Sequence, residues 1–236
     1  KVMKKTILNH KYIEQEITTN DKQSDTKYRW SHGATDKHMG DGIIVYSMMY
    51  FFKPMISVCL GSGGGYIPRI MWKCISDLNE EGFNTDESRV ILVDAVNGVN
   101  GHPDWTDEDS FYRNNFLSEW LHSTTEEAYY EFFVKRDMKI DLLWIDADHT
   151  IEGIKKDFEL YSQVMNDKGI IMIHDTDKEY VDNFIETEEH EDYDLSGPSE
   201  FIKTLDSDKF EILNLFNYGI EKDFPSSTGI TIVRKK

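Results

Sequence analysis

The chain has 236 residues, with 44 acidic against 26 basic side chains and a formal charge of -18. At 39% hydrophobic and 13% aromatic it can bury a sizeable core, which excludes wholesale disorder. Its charge disfavours nucleic acid or an anionic membrane as a partner. No run of 18 apolar residues occurs, so no membrane span is expected, and KVMKKTILNH lacks the apolar stretch of a signal peptide. Cys59 and Cys74 fall in apolar segments and read as buried thiols, in keeping with the cytoplasm.

Along the chain, Met55 to Leu60 is an apolar, β-capable run that stops at Gly61-Ser62-Gly63-Gly64-Gly65. A helix is expected from about Pro68, with Ile70, Met71, Cys74, Ile75 and Leu78 on one face and Gly82 at its end. Arg89 to Val93 is a second buried strand, closed by Asp94. Residues 104–118 look partly helical, Glu119 to His122 forms a weak third strand, and Thr124 to Lys135 reads as helix. Ile140 to Ile145 is another apolar run, ending at Asp146. The spacing of Ile151, Ile154, Phe158, Tyr161 and Met165 predicts one helical face that Gly169 terminates. Ile170 to Ile173 then leads into His174-Asp175. Residues 177–194 hold nine acids against Lys178, which is -8 of the -18; they read as a solvated helix or loop, or as a cover beside a site. Pro198 opens a short helix, and Lys209 to Phe216 with Thr228 to Arg234 are expected to pair antiparallel.

Continuous Val/Ile/Leu strands alternating with amphipathic helices imply a mostly parallel α/β sheet covered on both faces. Ligands bind such sheets at the carboxyl ends of the strands, and here those ends carry glycine, aspartate or His-Asp. The glycine loop is not a Walker A, because no Gly-Lys-Ser/Thr follows. It also misses the dinucleotide fingerprint, whose third glycine position is Tyr66. Gly61, Ser62, Gly63 and Gly65 with Asp94 suit an adenosine-containing cofactor, the carboxylate accepting from ribose hydroxyls. The plainer reading is a tight turn with Asp94 capping it. Asp146, His174 and Asp175 at neighbouring strand ends suit an octahedral Mg²⁺ or Mn²⁺, or form a hydrogen-bonded network without metal.

The pattern from Val58 to Gly65 followed by Asp94 resembles class I S-adenosylmethionine-dependent methyltransferases. Within Asp141 to Asp175, Ile145-Asp146-Ala147-Asp148-His149-Thr150-Ile151-Glu152-Gly153 and Gly169-Ile170-Ile171-Met172-Ile173-His174-Asp175 resemble metal-dependent O-methyltransferases that modify sugars on macrolides, with cephalosporin-methoxylation relatives. That resemblance implies a Rossmann-like fold: a mostly parallel seven-stranded sheet with an antiparallel C-terminal strand and helices on both faces. It implies S-adenosylmethionine as cofactor, His149 as general base, and Asp146, His174 and Asp175 as ligands of Mg or Mn. His122-Ser123 is the candidate adenine contact. It also implies a small-molecule hydroxyl acceptor and allows a homo-oligomer. The expected organisation is a helical cap over residues 1–54 and a methyltransferase domain over 55–236, with an acidic insertion at about 177–197. Two departures stand out: Cys59 occupies a position where the family usually carries an acid, and the adenine contact that usually follows strand three falls to His122-Ser123; upstream, Ala34-Thr35-Asp36-Lys37 only faintly resembles a Thr-Asp-Lys segment. The alternatives are an NAD-dependent oxidoreductase, whose Tyr-x-x-x-Lys spacing occurs only at Tyr218 to Lys222, and a non-catalytic S-adenosylmethionine-binding protein.

Overall fold

The computed structural model describes residues 32, 39–61, 65–83, 87–95, 118–179, 181, 196–216 and 228–236. Ser62, Gly63, Ala34 to Lys37, residues 104–117, most of the acidic stretch and Tyr218 to Lys222 lie outside them. The described strands are β1 (Ile56–Leu60), β2 (Arg89–Val93), β3 (Glu119–Leu121), β4 (Ile140–Ile145), β5 (Met165–His174), β6 (Phe210–Leu215) and β7 (Ile230–Lys235). They form one seven-stranded sheet in the order β3-β2-β1-β4-β5-β7-β6. The first five run parallel, and β7 is antiparallel to both β5 and β6. This is the Rossmann-like arrangement that the apolar runs and the closing hairpin imply. The order reverses between β1 and β4, which places a crevice between Gly61 and Asp146 at the carboxyl ends of two adjacent strands.

Helices α1 (Gly42–Phe52), α2 (Tyr66–Glu80), α3 (Thr125–Ala128), α4 (Ile151–Tyr161) and α5 (Gly197–Phe201) flank the sheet. On one face, Val45 and Met49 of α1 and Ile67, Ile70, Met71, Cys74 and Leu78 of α2 pack on Cys59, Leu92, Trp144 and Met172. On the other, Ile154, Phe158 and Tyr161 of α4 join Phe132 and Phe133 against Val58, Leu60, Ile91, Leu143 and Ile173. Successive side chains of β1, β2 and β4 thus enter opposite cores, which is why these strands read as unbroken apolar runs rather than alternating ones.

Three boundaries differ from expectation. Helix α2 begins at Tyr66, two residues before Pro68, because Gly65 takes a left-handed conformation and releases the chain into the helix. The expected 124–135 helix is α-helical only to Ala128 and continues as a π-helical turn over Tyr129–Val134. Helix α4 stops at Tyr161, not at Gly169. Ile140 N–H donates to Val164 O at 2.8 Å and Met165 pairs with Ile140, so the ladder captures residues that helical spacing assigned to α4. Cys59 and Cys74 are both free and buried. Among the described residues no helix is long and apolar enough to cross a membrane.

Candidate active site

Gly61 ends β1 with φ +76°, a left-handed conformation that favours glycine. A Cβ there would stand 2.1 Å from the carbonyl oxygen of Asp146, so only glycine lets the two strand ends meet. The contact is stitched from both sides. Gly61 N–H donates to Val93 O at 2.9 Å, and Asp146 N–H donates to Leu60 O at 2.9 Å. Cys59 is fully buried and faces the α1/α2 core; its thiol donates to Gly61 O at 3.0 Å. Burial, and then the charges of Asp146 and Asp94, push that thiol well above its usual range. Cys59 therefore serves as a neutral donor that steadies the loop.

Asp94 follows β2 half-buried, its N–H donating to Leu121 O at 3.1 Å. His122 and Ser123 follow β3, beyond Asp94 in strand order. The exposed His122 ring stacks on Trp120 at 5.0 Å, and its Nε2 lies 3.1 Å from Ala95 O. Gly61, Asp94, His122 and Ser123 thus follow the carboxyl ends of β1, β2 and β3, with Gly65 at the start of α2.

The strand-end acids gather on the β4-β5 side. His149 Nε2 lies 2.7 Å from Asp175 Oδ2 and 3.2 Å from Asp146 Oδ1. His174 Nδ1 lies 3.3 Å from Asp146 Oδ1 and 3.2 Å from Asp175 Oδ1. Thr228, just before β7, donates to Asp175 Oδ1. Asp175 has φ 55°, a left-handed conformation that aspartate tolerates better than most residues. Two residues not foreseen from sequence complete the cluster. His32 Nε2 lies 2.8 Å from Asp146 Oδ2, and Asp41 Oδ2 lies 3.0 Å from His174 Nε2. Neither sits in a periodic or motif-like segment, so no local signal marked them.

Electrostatics follow the geometry. Burial disfavours a charged His149, but hydrogen bonds to Asp146 and Asp175 outweigh it and push the imidazole up to about 10. His174 is likewise raised, burial being overcome by the Asp175 and Asp146 charges. Burial would raise both carboxylates, yet the His174 charge and histidine hydrogen bonds hold Asp146 and Asp175 well below the usual range. Each buried carboxylate thus has imidazoles beside it that favour its charged form.

The model of a family described as a methyltransferase domain matches residues 58–176, from within β1 to the residue after Asp175. The chain belongs to this family. No curated protein matches this methyltransferase. Solved structures share its fold. The O-methyltransferase from Bacillus cereus, in complex with SAH, is 14% identical with a TM-score of 0.61, covering 95% of this chain and 97% of its own. TomG from Streptomyces achromogenes, an O-methyltransferase of tomaymycin synthesis in complex with SAM, is 10% identical with a TM-score of 0.56, covering 83% and 79%.

The methyltransferase's donor set fits a divalent ion. Adjacent ligands on an octahedron of ~2.1 Å radius stand about 3 Å apart. Among the expected ligands, His174 Nδ1 stands 3.3 Å from Asp146 Oδ1 and 3.2 Å from Asp175 Oδ1. The expected Asp146/His174/Asp175 set is shared between two convergent groups, His32/Asp146/His174 and Asp146/His149/Asp175.

Proposed function

We propose that this methyltransferase transfers the methyl group of S-adenosylmethionine to a hydroxyl oxygen of a small molecule such as a sugar or glycosylated natural product, with a divalent metal, Mg or Mn, as a second cofactor. The observation that carries this reading is the Asp146/His149/Asp175 cluster standing against the Gly61 turn across a single backbone contact. S-adenosylmethionine supplies a methyl group on a sulfonium, an electrophile that needs orientation more than activation. Asp146, Asp175 and His174 would hold the divalent ion, whose charge would lower the pKa of the acceptor hydroxyl. Gly61 and Gly65 allow the loop backbone to approach the cofactor, and Asp94 accepts from its ribose hydroxyls. His149 Nε2 takes the hydroxyl proton as the acceptor oxygen forms its bond to carbon. The carbon–sulfur bond breaks with its electron pair passing to sulfur, which becomes neutral.

His149 is a base only once its own proton has gone, and that proton is held by the two carboxylates. Neutralising those carboxylates therefore frees the base. The set of Asp146, His149, His174 and Asp175 favours catalysis over mere cofactor binding. The charge of -18 supports a small acceptor over nucleic acid. Calorimetry with S-adenosylhomocysteine and with NAD⁺ tests the reading. Saturable binding of the first alone supports it, and binding of NAD⁺ alone would replace it with an oxidoreductase.

A further inference from the structure

His32, Asp146 and His174 present one ligand atom each within 4.8 Å of one another. The His32 and His174 rings lie 4.7 Å apart between centroids. His32 is held from several sides, by Tyr66 at 6.0 Å, Trp144 at 5.8 Å and the 2.8 Å contact to Asp146 Oδ2. Asp146 thus offers one oxygen to His149 and the other to His32. Trp144 Nε1 also reaches Asp146 Oδ2, at 3.5 Å, and limits how that carboxylate can turn.

An independent feature points the same way. An imidazole that ligates a metal through one nitrogen almost always directs the other to a carboxylate, a backbone carbonyl or water, which fixes its tautomer and raises its basicity. His174 turns Nδ1 toward Asp146 while its Nε2 lies 3.0 Å from Asp41 Oδ2. The Asp41 and His174 side chains are 4% and 8% exposed, a buried carboxylate–imidazole pair aimed at a third group. The Asp41 backbone N–H also donates to the His32 backbone carbonyl at 2.8 Å, so one residue contacts the His174 ring and anchors the His32 main chain.

We propose that His32, His174 and Asp146 form a two-histidine, one-carboxylate site for a first-row transition-metal ion, with Asp41 as the positioning residue behind His174. This deepens the proposed function by setting His32, from the segment ahead of α1, in the ligand place given above to Asp175, and by choosing the metal class. It rests on Asp146 being a ligand there. Hard oxygen donors suit Mg²⁺, whereas imidazole suits later divalent ions, and affinity for a nitrogen-containing site rises from Mn²⁺ toward Cu²⁺. Two imidazoles therefore shift preference from Mg²⁺ toward ions such as Co²⁺ and Zn²⁺.

The test uses the full chain freed of metal by chelation, titrated with Co²⁺ and with Mg²⁺ by calorimetry and visible absorption. Co²⁺ should bind at least ~10-fold more tightly than Mg²⁺ and show ligand-field bands that reflect nitrogen donors. His32→Phe keeps the ring packing, removes the nitrogen, and should weaken Co²⁺ by ~10-fold or more with a changed spectrum. Asp41→Asn should weaken it by about 10- to 100-fold. Equal Co²⁺ and Mg²⁺ affinity, or an unchanged spectrum in folded His32→Phe, would overturn the proposal. Should His32→Phe lose its cooperative melt, the Co²⁺/Mg²⁺ competition of the parent chain decides alone. S-adenosylhomocysteine binding is measured on the same samples. Metal that binds without His32 defeats this inference only, absence of metal binding defeats the proposed metal dependence with it, and absence of S-adenosylhomocysteine binding defeats the proposed function.

Discussion

Gly61 and Asp146 are joined at the centre of the site by a contact that admits no side chain. The carbonyl oxygen of Asp146 lies where a Cβ on Gly61 would fall, 2.1 Å away, and the glycine holds φ +76°. The turn proposed to approach the cofactor and the carboxylate proposed to bind metal thus meet at one backbone contact. Gly61→Ala adds left-handed strain and a backbone collision, so it should cost about 2–4 kcal/mol of stability. Chemical denaturation measures that loss, and calorimetry on the folded fraction should show S-adenosylhomocysteine and metal affinity falling together.

Replacing His149 should separate binding from chemistry. Its imidazole touches Asp146 and Asp175 but none of the glycine-loop residues among the described contacts. His149→Ala should lower turnover by ~10²- to 10⁴-fold while leaving S-adenosylhomocysteine affinity nearly unchanged. Single-turnover kinetics with labelled cofactor provide the comparison. Surviving turnover would remove His149 from the base role.

Gly197 supports His149 from outside the motif. Its N–H donates to His149 O at 3.0 Å, and an added Cβ would meet that oxygen at 2.1 Å and Ile151 N at 2.6 Å. Gly197→Ala should push the His149 backbone away from Asp175. A shift of that kind costs up to about 10²-fold in rate. We expect kcat to fall at least ~10-fold with a smaller change in KM.

Asp157 gives a pH signature of stability. It is 1% exposed; Thr125 Oγ1 donates to its Oδ1 at 2.5 Å, while Oδ2 has no hydrogen-bond partner among the described residues. Burial pushes this carboxyl up to about 6, against the helping hydrogen bond from Thr125. Its folded value exceeds its unfolded one, so its contribution is fully present below about pH 4 and is lost as pH rises through about 6. Asp157→Asn abolishes that titration. The stability of the variant relative to the parent should rise by up to about 3 kcal/mol between pH 4 and pH 7.5. Urea denaturation across that range measures it, and a flat difference would contradict the assignment.

Much of the site was legible because it lies where apolar runs stop. Asp94, Asp146 and Asp175 each follow a buried strand, His174 ends one, and parallel strands deliver their carboxyl ends to one edge. What escaped depends on long-range packing. His32 meets Asp146 across 114 residues, and Asp41 meets His174 across 133, from segments with no apolar period to place them. The end of α4 escaped for a related reason. Met165 continues the helical face in spacing, yet its partner Ile140 offers a strand ladder that local pattern cannot foresee. Cys59 was legible as a departure from its relatives, but its role as donor to Gly61 O required the turn itself.

The measurement that bears most directly on the account is a crystal structure of the chain with S-adenosylhomocysteine and Mn²⁺, using anomalous scattering to locate the ion. The account predicts the adenosyl group along Gly61 and Gly65 with its ribose at Asp94, and an anomalous peak in contact with Asp146, beside the cofactor's sulfur. An adenosyl group bound elsewhere, or a peak remote from Asp146 and Asp175, would contradict it.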